Sequence, residues 1–111
     1  MIDPARQHVI ADVVACTDLL LLDDVGELSE LLVEACTMAG AHVLGTLTHH
    51  FDPQGATVLV LLAESHASIH TWPEHALAFV DAFTCGAVDP AAIVEVVVDA
   101  LGGTAQLVRL A

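Results

Sequence analysis

The densest chemistry in the sequence lies between Glu64 and Glu74, where the chain reads ESHASIHTWPE. An apolar, strand-like run at residues 57–63 leads into this stretch, and carboxylate, hydroxyl, imidazole and indole groups then follow closely. The hydroxyl of Ser65 lies near histidines in the sequence, a combination that nucleophilic catalysis uses. No GxSxG motif surrounds this serine. From these residues alone, a turn hydroxyl beside a structural imidazole is therefore the simpler interpretation.

The histidines of the same stretch raise the question of a metal site. His66 and His70 are four positions apart, a spacing that suits a zinc pair on a helix. Ile69, Thr71 and Trp72 instead favour an extended chain, in which alternate residues share one face. Since no third ligand can be identified, the sequence predicts no metal site.

The remaining sequence predicts the elements that must position this stretch. Apolar residues at helical spacing, bounded by Asp23-Asp24 and Gly40 and by Asp89-Pro90 and Gly102, predict two helices. Strands are predicted at residues 8–15, 41–51, 57–63, from a turn at 64–66 to 73, at 78–85 and at 105–110, with 57–63 buried on both faces. This order predicts an α+β, two-layer sandwich, in which an antiparallel or mixed sheet carries both helices on one face.

Length, composition and charge limit the classes of function. A chain of 111 residues is predicted to form a single domain, residues 1–111, with one core. Because 56% of the residues are hydrophobic, we expect a buried subunit interface and therefore a homo-oligomer. The net charge is −13, with no lysine and only Arg6 and Arg109, which argues against nucleic acids and anionic membranes as partners.

The sequence also predicts a cytoplasmic location. The N-terminus lacks the basic and apolar segments of a signal peptide, and no apolar run is long enough to span a bilayer. Cys16, Cys36 and Cys85 are odd in number, widely spaced and without a CxxC motif. Such cysteines are typical of reduced thiols rather than of a disulfide framework or a zinc site.

Two blocks of sequence resemble the prokaryotic S-adenosylmethionine decarboxylase proenzymes, which make a pyruvoyl cofactor from one of their own serines. ESHASIHTWPE matches that family's ESHxSIHTWPE signature without interruption, and FTCG at Phe83–Gly86 falls at the family's spacing. The segment His8–Cys16, the first helix and the H-x-F-x-P-x-G pattern at His49–Gly55 extend the resemblance over most of the chain. The resemblance implies the fold of that family.

The resemblance also implies self-cleavage. In that family the serine hydroxyl attacks the preceding carbonyl, which implies a cut between Glu64 and Ser65. The products would be a β chain of residues 1–64 and an α chain of residues 65–111 that begins with a pyruvoyl group made from the serine. His70 matches the family's processing histidine, a base for the serine's α-proton. Thr57 stands where the family usually has a serine that assists the rearrangement.

For turnover, the resemblance implies a pyruvoyl ketone that forms a Schiff base with S-adenosylmethionine and takes up the electrons freed by decarboxylation. Cys85 resembles the family's proton donor to the resulting carbanion. Phe51 and Trp72 match aromatic positions near the substrate's adenine, and Glu74 matches a carboxylate assigned to its ribose hydroxyls. The implied product feeds spermidine biosynthesis, and the implied assembly is a homodimer of cleaved αβ units.

The sequence departs from the family mainly where the substrate would be recognised. Arg6-Gln7 replaces the usual Gly-Arg, and His50 stands where a stronger base is common. Asp52 and Gln54 replace apolar or aromatic residues in the substrate-side turn. Two alternatives therefore stay open at this point: a pyruvoyl-dependent arginine or ornithine decarboxylase of the same family, and an uncleaved paralogue that serves as a binding or regulatory subunit.

Overall fold

A computed structural model of the protein describes residues 5–110. Residues 1–4 and 111 of the predicted domain, and with them the start of the segment used for the signal-peptide prediction, lie outside this range. The elements in chain order are β1 (Arg6–Val13), α1 (Leu19–Leu22), α2 (Val25–Met38), β2 (Val43–His50), β3 (Ala56–Leu62), β4 (Ser65–Trp72), a short 3₁₀ helix (Pro73–His75), β5 (Leu77–Cys85), α3 (Pro90–Leu101) and β6 (Leu107–Arg109).

The strands form one six-stranded sheet in the order β2-β3-β4-β5-β1-β6. Every neighbouring pair is antiparallel, with β4 between β3 and β5 near the middle of the sheet. The apolar sides of α2 and α3 join the inward residues of the strands in one buried core. The predicted α+β, two-layer architecture is therefore confirmed, with the sheet antiparallel throughout.

The two long helices begin and end at the residues that the sequence indicates. Asp24 and Asp89 are the N-caps, and their side chains accept hydrogen bonds from backbone N–H groups in the first turn. At the other ends, Gly40 and Gly102 adopt φ of 88° and 65°, a conformation in which glycine avoids the cost of a side chain.

The sequence did not predict α1 or the 3₁₀ helix. With four and three residues, these helices are too short for apolar periodicity to indicate them. The N-cap of α1 is Asp18, whose side chain accepts a hydrogen bond from the Leu21 N–H. Within residues 5–110, none of the helices has the length and apolar character needed to cross a membrane.

The prediction that residues 57–63 are buried on both faces is wrong. Val58 and Val60 are fully buried against the helices, whereas Leu59 and Leu61 are 42% and 57% exposed. The reason is that α2 and α3 cover only one face of the sheet. We call the other side the open face. By strand alternation and register it carries His8, Ile10, Asp12, Thr57, Leu59, Leu61, His66, Ser68, His70, Trp72, Phe79, Asp81 and Phe83.

Candidate active site

The peptide bond between Glu64 and Ser65 lies in a strained turn. Leu62 pairs directly with Ser65, so a two-residue hairpin, Ala63-Glu64, joins β3 to β4. Ser65 has φ of 141°, a positive value that side chains disfavour and that costs of order 1–3 kcal/mol. The carbonyl oxygen of Glu64 accepts a hydrogen bond of 2.9 Å from the backbone N–H of Cys85. The backbone is therefore strained at the residue that follows this peptide bond, and the carbonyl of the bond is polarised.

The side chain of Glu64 anchors this turn. It is only 6% exposed and accepts a 2.9 Å hydrogen bond from the backbone N–H of His42, while its other oxygen lies 2.7 Å from His42 Nδ1. Burial acts to raise the pKa of the Glu64 carboxyl, but the hydrogen bonds with His42 outweigh it and hold the pKa below its usual value. The carboxylate is therefore ionised and fixed, and it holds the adjacent carbonyl in place.

The Ser65 hydroxyl begins a series of contacts between polar side chains that continues on the open face. Its Oγ lies 3.2 Å from His66 Nδ1, and His66 Nε2 lies 3.6 Å from Asp81 Oδ2. Asp81 Oδ2 also lies 2.8 Å from His8 Nε2, and Ser68 donates a short hydrogen bond to Asp81 Oδ1. These contacts link a hydroxyl to an imidazole and the imidazole to a carboxylate.

Sequence reasoning missed most of this chain of contacts. It assigned no function to His8 or Asp81. The available signal was the alternation of side chains along an extended strand, which puts His66 and Ser68 on the same face of β4. The missing information was the register, which aligns Ser68 with Asp81 and brings His8 of β1 opposite Phe83.

A second group of predicted residues lines a cleft near the other end of β4. Phe51, Trp72 and Glu74, the three predicted substrate-binding residues, share a cleft of about 340 Å³ with Thr57 and His70. Thr57 Oγ1 lies 3.0 Å from His70 Nδ1. When Nδ1 carries the ring proton and donates a hydrogen bond to Thr57 Oγ1, Nε2 of the same ring keeps a lone pair that can accept a proton.

The aromatic side chains of this cleft are accessible and held by neighbouring rings. Phe51 and Trp72 are 46% and 37% exposed. The Phe51 ring lies 4.6 Å from that of His49, and Trp72 lies 4.8 Å from Phe79, measured between centroids. Aromatic faces held in this way can stack on a planar base and attract a cation.

The structure places the predicted residues in two separate groups. Ser65 and His70 are five positions apart on β4, which at ~3.3 Å per residue corresponds to about 16 Å. Cys85 belongs with Ser65, since it follows Thr84, the direct partner of Ser65 in the sheet. Within one chain, His70 therefore cannot reach the Ser65 α-proton.

The two histidines considered as zinc ligands are also apart. His66 and His70 lie on the same extended strand, about 13 Å from each other at ~3.3 Å per residue. In the part of the chain that the structure describes, no three His, Cys, Asp or Glu side chains are grouped so that they could hold a metal ion.

Comparison with known proteins gives a consistent result for sequence and fold. The S-adenosylmethionine decarboxylase family matches residues 7–110. S-adenosylmethionine decarboxylase proenzyme 2 of Bacillus anthracis is 47% identical over 96 residues, which cover 86% of this chain and 77% of the relative. The S-adenosylmethionine decarboxylase proenzyme of Synechococcus sp. (strain WH7803) is 51% identical over 80 residues, covering 72% and 62%. The crystal structure of the adenosylmethionine decarboxylase from Aquifex aeolicus VF5 superposes with a TM-score of 0.83 at 36% identity, covering 97% of this chain and 88% of the other.

Proposed function

The chain belongs to the S-adenosylmethionine decarboxylase family, and on that premise we propose that it cuts itself between Glu64 and Ser65 and then decarboxylates S-adenosylmethionine. The family consists of pyruvoyl-dependent carboxy-lyases that are made as proenzymes and serve spermidine biosynthesis. The observation that carries the proposed cut is the strained backbone of Ser65 next to the polarised Glu64 carbonyl, with the Ser65 hydroxyl beside it.

The contacts at this bond suit an acyl shift from nitrogen to oxygen. The Ser65 hydroxyl adds to the Glu64 carbonyl carbon, and the Cys85 N–H stabilises the negative charge that develops on the carbonyl oxygen. The carbon–nitrogen bond then breaks, which leaves an ester and a free amine on Ser65. Removal of the Ser65 α-proton expels the Glu64 carboxylate. The resulting enamine takes up water and releases ammonia, so the downstream chain begins with a ketone and no external oxidant is needed.

Removal of the Ser65 α-proton needs a base, and His70 of the same chain cannot supply it. His70 lies about 16 Å from Ser65 at ~3.3 Å per residue along β4, but its own hydrogen bond to Thr57 suits it to accept a proton. A two-fold symmetric dimer resolves the difficulty, because each subunit can supply His70 and Thr57 to the Ser65 of its partner. The proposed assembly is therefore a homodimer with two shared sites.

The open face is the surface that such a dimer would bury. It exposes Leu59, Leu61 and Phe79 around the polar side chains of β4. A second copy of the chain fits this surface for two reasons. An exposed apolar patch of this kind marks an interaction site, and both groups of site residues have side chains on this face: His66 and Asp81 in one group, Thr57 and His70 in the other.

The cleft with Thr57 and His70 is the proposed binding site for the nucleoside part of S-adenosylmethionine. The accessible rings of Phe51 and Trp72 suit an adenine and a neighbouring sulfonium. The carboxylate of Glu74 lines the same cleft and can accept hydrogen bonds from ribose hydroxyls. The proposed substrate thus enters between two subunits.

The residues around Ser65 fit the pyruvoyl group that the family uses. Ser65 is the residue that becomes the group, and it starts a central strand, so the group would be held at a fixed position. When present, a pyruvoyl group takes up the electron pair that is freed as carbon dioxide leaves. Cys85 adjoins it on β5 and is half-buried, and its thiol is the proposed donor of the proton that replaces the carboxyl.

We also propose a cytoplasmic location, which rests on the thiols. Cys16 and Cys36 are buried. Burial, with a smaller contribution from the charge of Glu64, raises the pKa of Cys36 to about 12. Such thiols stay protonated and inert, which suits a reducing compartment.

Replacing Cys85 with alanine should separate turnover from self-cleavage. The backbone N–H that contacts the Glu64 carbonyl remains in Cys85→Ala, so the chain should still be cut. Loss of the proton donor should lower kcat about 100-fold and allow misplaced protonation. Mass spectrometry of the fragments and the release of labelled carbon dioxide test the two halves of this prediction. Cys16→Ala is the matched control, and full activity of Cys85→Ala would remove the proton-donor role.

The proposed function is tested by denaturing mass spectrometry of the freshly purified protein. We expect two fragments that meet at Glu64/Ser65, with a borohydride-reducible carbonyl at the start of the second, and release of carbon dioxide from S-adenosylmethionine. A chain that persists at its intact mass of 11.6 kDa would contradict the proposal.

A further inference from the structure

We propose that His66 is the base that activates the Ser65 hydroxyl for self-cleavage, and that Asp81, itself held by His8 and Ser68, positions and orients His66 for this step. The inference rests on the proposed function, because it assigns the first proton transfer of the proposed cut. It concerns a different histidine and a different step from the removal of the α-proton.

The first support is the direct contact between the two side chains. The 3.2 Å between Ser65 Oγ and His66 Nδ1 is a hydrogen-bond distance, and it connects the imidazole to the atom that must lose its proton. His66 is 49% exposed, so burial does not force it into this position. Its ring instead stacks on Phe83, with the two planes 4° apart and the centroids separated by 5.9 Å.

The second support is the carboxylate behind the imidazole. Asp81 Oδ2 lies 3.6 Å from His66 Nε2, on the side of the ring away from Ser65. A carboxylate there favours the tautomer with the proton on Nε2, which leaves the Nδ1 lone pair free to accept the Ser65 proton. The order of hydroxyl, imidazole and carboxylate is the one used to activate serine nucleophiles on unrelated folds.

The third support is that Asp81 is itself fixed and ionised. It lies 2.8 Å from His8 Nε2 and accepts a short hydrogen bond from Ser68. Burial acts to raise the pKa of Asp81, but the hydrogen bonds from Ser68 and His8 and the nearby His66 outweigh it and hold the pKa below its usual value. A carboxylate with a lowered pKa is ionised near neutral pH and can hold the neighbouring His66 ring by its charge.

Few titratable side chains lie close to His66 in the described part of the chain. Within residues 5–110, β5 contributes Asp81, β1 contributes His8, and the residue opposite on β3 is the apolar Leu61. His8 contacts Asp81 and is not hydrogen-bonded to His66, since the His8 and His66 rings lie 6.4 Å apart between centroids. Among these groups, the carboxylate of Asp81 is therefore the one that can orient the His66 ring.

The proton balance of the step is simple. As the Ser65 oxygen bonds to the Glu64 carbonyl carbon, its proton passes to His66 Nδ1. As the carbon–nitrogen bond breaks, the protonated imidazole returns a proton to the leaving amine of Ser65. His66 ends the step neutral, and no other reactant is consumed.

The test follows the cutting of freshly translated full-length chain in a cell-free system. In His66→Asn, an amide takes the position of Nδ1 and can form hydrogen bonds but cannot accept a proton, so cutting should slow about 100-fold. His75→Asn is the matched control, because His75 is exposed on the 3₁₀ helix and lies outside both groups of site residues. Thermal unfolding of both variants verifies that they are folded.

Hydroxylamine identifies the step that is blocked, because it cleaves an ester but not a peptide bond. His66→Asn should yield no additional fragments with hydroxylamine, since the ester never forms. His70→Asn should accumulate the ester, and hydroxylamine should then split it at Glu64. In Asp81→Asn, cutting should slow about tenfold, because an amide does not hold the His66 ring as the carboxylate does, and Asp81→Glu, which restores a carboxylate, should recover part of the rate.

The outcomes separate this inference from the proposal on which it rests. Cutting of His66→Asn at the wild-type rate, or accumulation of the ester in that variant, would overturn the role assigned to His66. Cutting of Asp81→Asn at the wild-type rate would overturn the role assigned to Asp81. In either case, cleavage of the wild-type chain would still support the proposed function. A wild-type chain that is never cut would instead contradict the proposed function itself.

Discussion

A Ser65→Ala chain is expected to remain a single polypeptide of 11.6 kDa and to have no decarboxylase activity. The methyl group cannot attack the Glu64 carbonyl, so neither the ester nor the ketone can form. The loss should be complete rather than partial, because the same atom supplies both the nucleophile and the oxygen that leaves with Glu64. Denaturing mass spectrometry and carbon dioxide release measure the two consequences.

The control for this substitution is Ser29→Ala, which removes a hydroxyl from α2 on the other side of the sheet. It should be cut and remain active. Ser65→Cys is informative as well, since a thiol can attack the same carbonyl and should restore some cutting through a thioester. Two fragments from Ser65→Ala would show that the chain is cut by another agent and would contradict self-cleavage.

The fold could be predicted from the sequence to a large extent, for local reasons. Asp24, Asp89, Gly40 and Gly102 mark helix ends because caps act within a few residues. The two-layer arrangement follows from the order of strands and helices. The exposure of Leu61 could not be predicted, because an apolar strand has the same sequence pattern whether its own chain covers both of its faces or only one.

The candidate site could be predicted residue by residue but not as an arrangement. Phe51, Trp72 and Glu74 line one cleft, because the chain reverses between them and β3 and β4 pair closely. Sequence reasoning predicted an extended strand here but did not recognise that Ser65 and His70, five positions apart on it, are too far apart to meet within one chain. That separation follows from the extended conformation of β4, and it becomes meaningful only once both side chains are assigned a role in the same reaction.

A mixture of two inactive variants should regain self-cleavage if the site is shared between subunits. Ser65→Ala has no nucleophile and His70→Asn has no base for the α-proton, so neither variant forms the ketone alone. In a mixed dimer, the intact Ser65 of the His70→Asn chain faces the intact His70 of the Ser65→Ala chain. Co-expression in equal amounts should cut about half of the His70→Asn chains, because random pairing in two-fold dimers gives each chain the other variant half of the time.

Different tags on the two variants make the expected result specific. Fragments should come only from the His70→Asn chain, because the Ser65→Ala chain has no serine at the cut. The matched control replaces the second variant with the doubly substituted Ser65→Ala/His70→Asn chain, which forms the same dimers but lacks a base, and no fragments should appear. If co-expression of the two single variants also yields no fragments, while the dimer is seen by light scattering, then His70 does not act across the interface. The open face would in that case be an ordinary subunit contact, and the base for the α-proton would have to come from the residues around Ser65 itself.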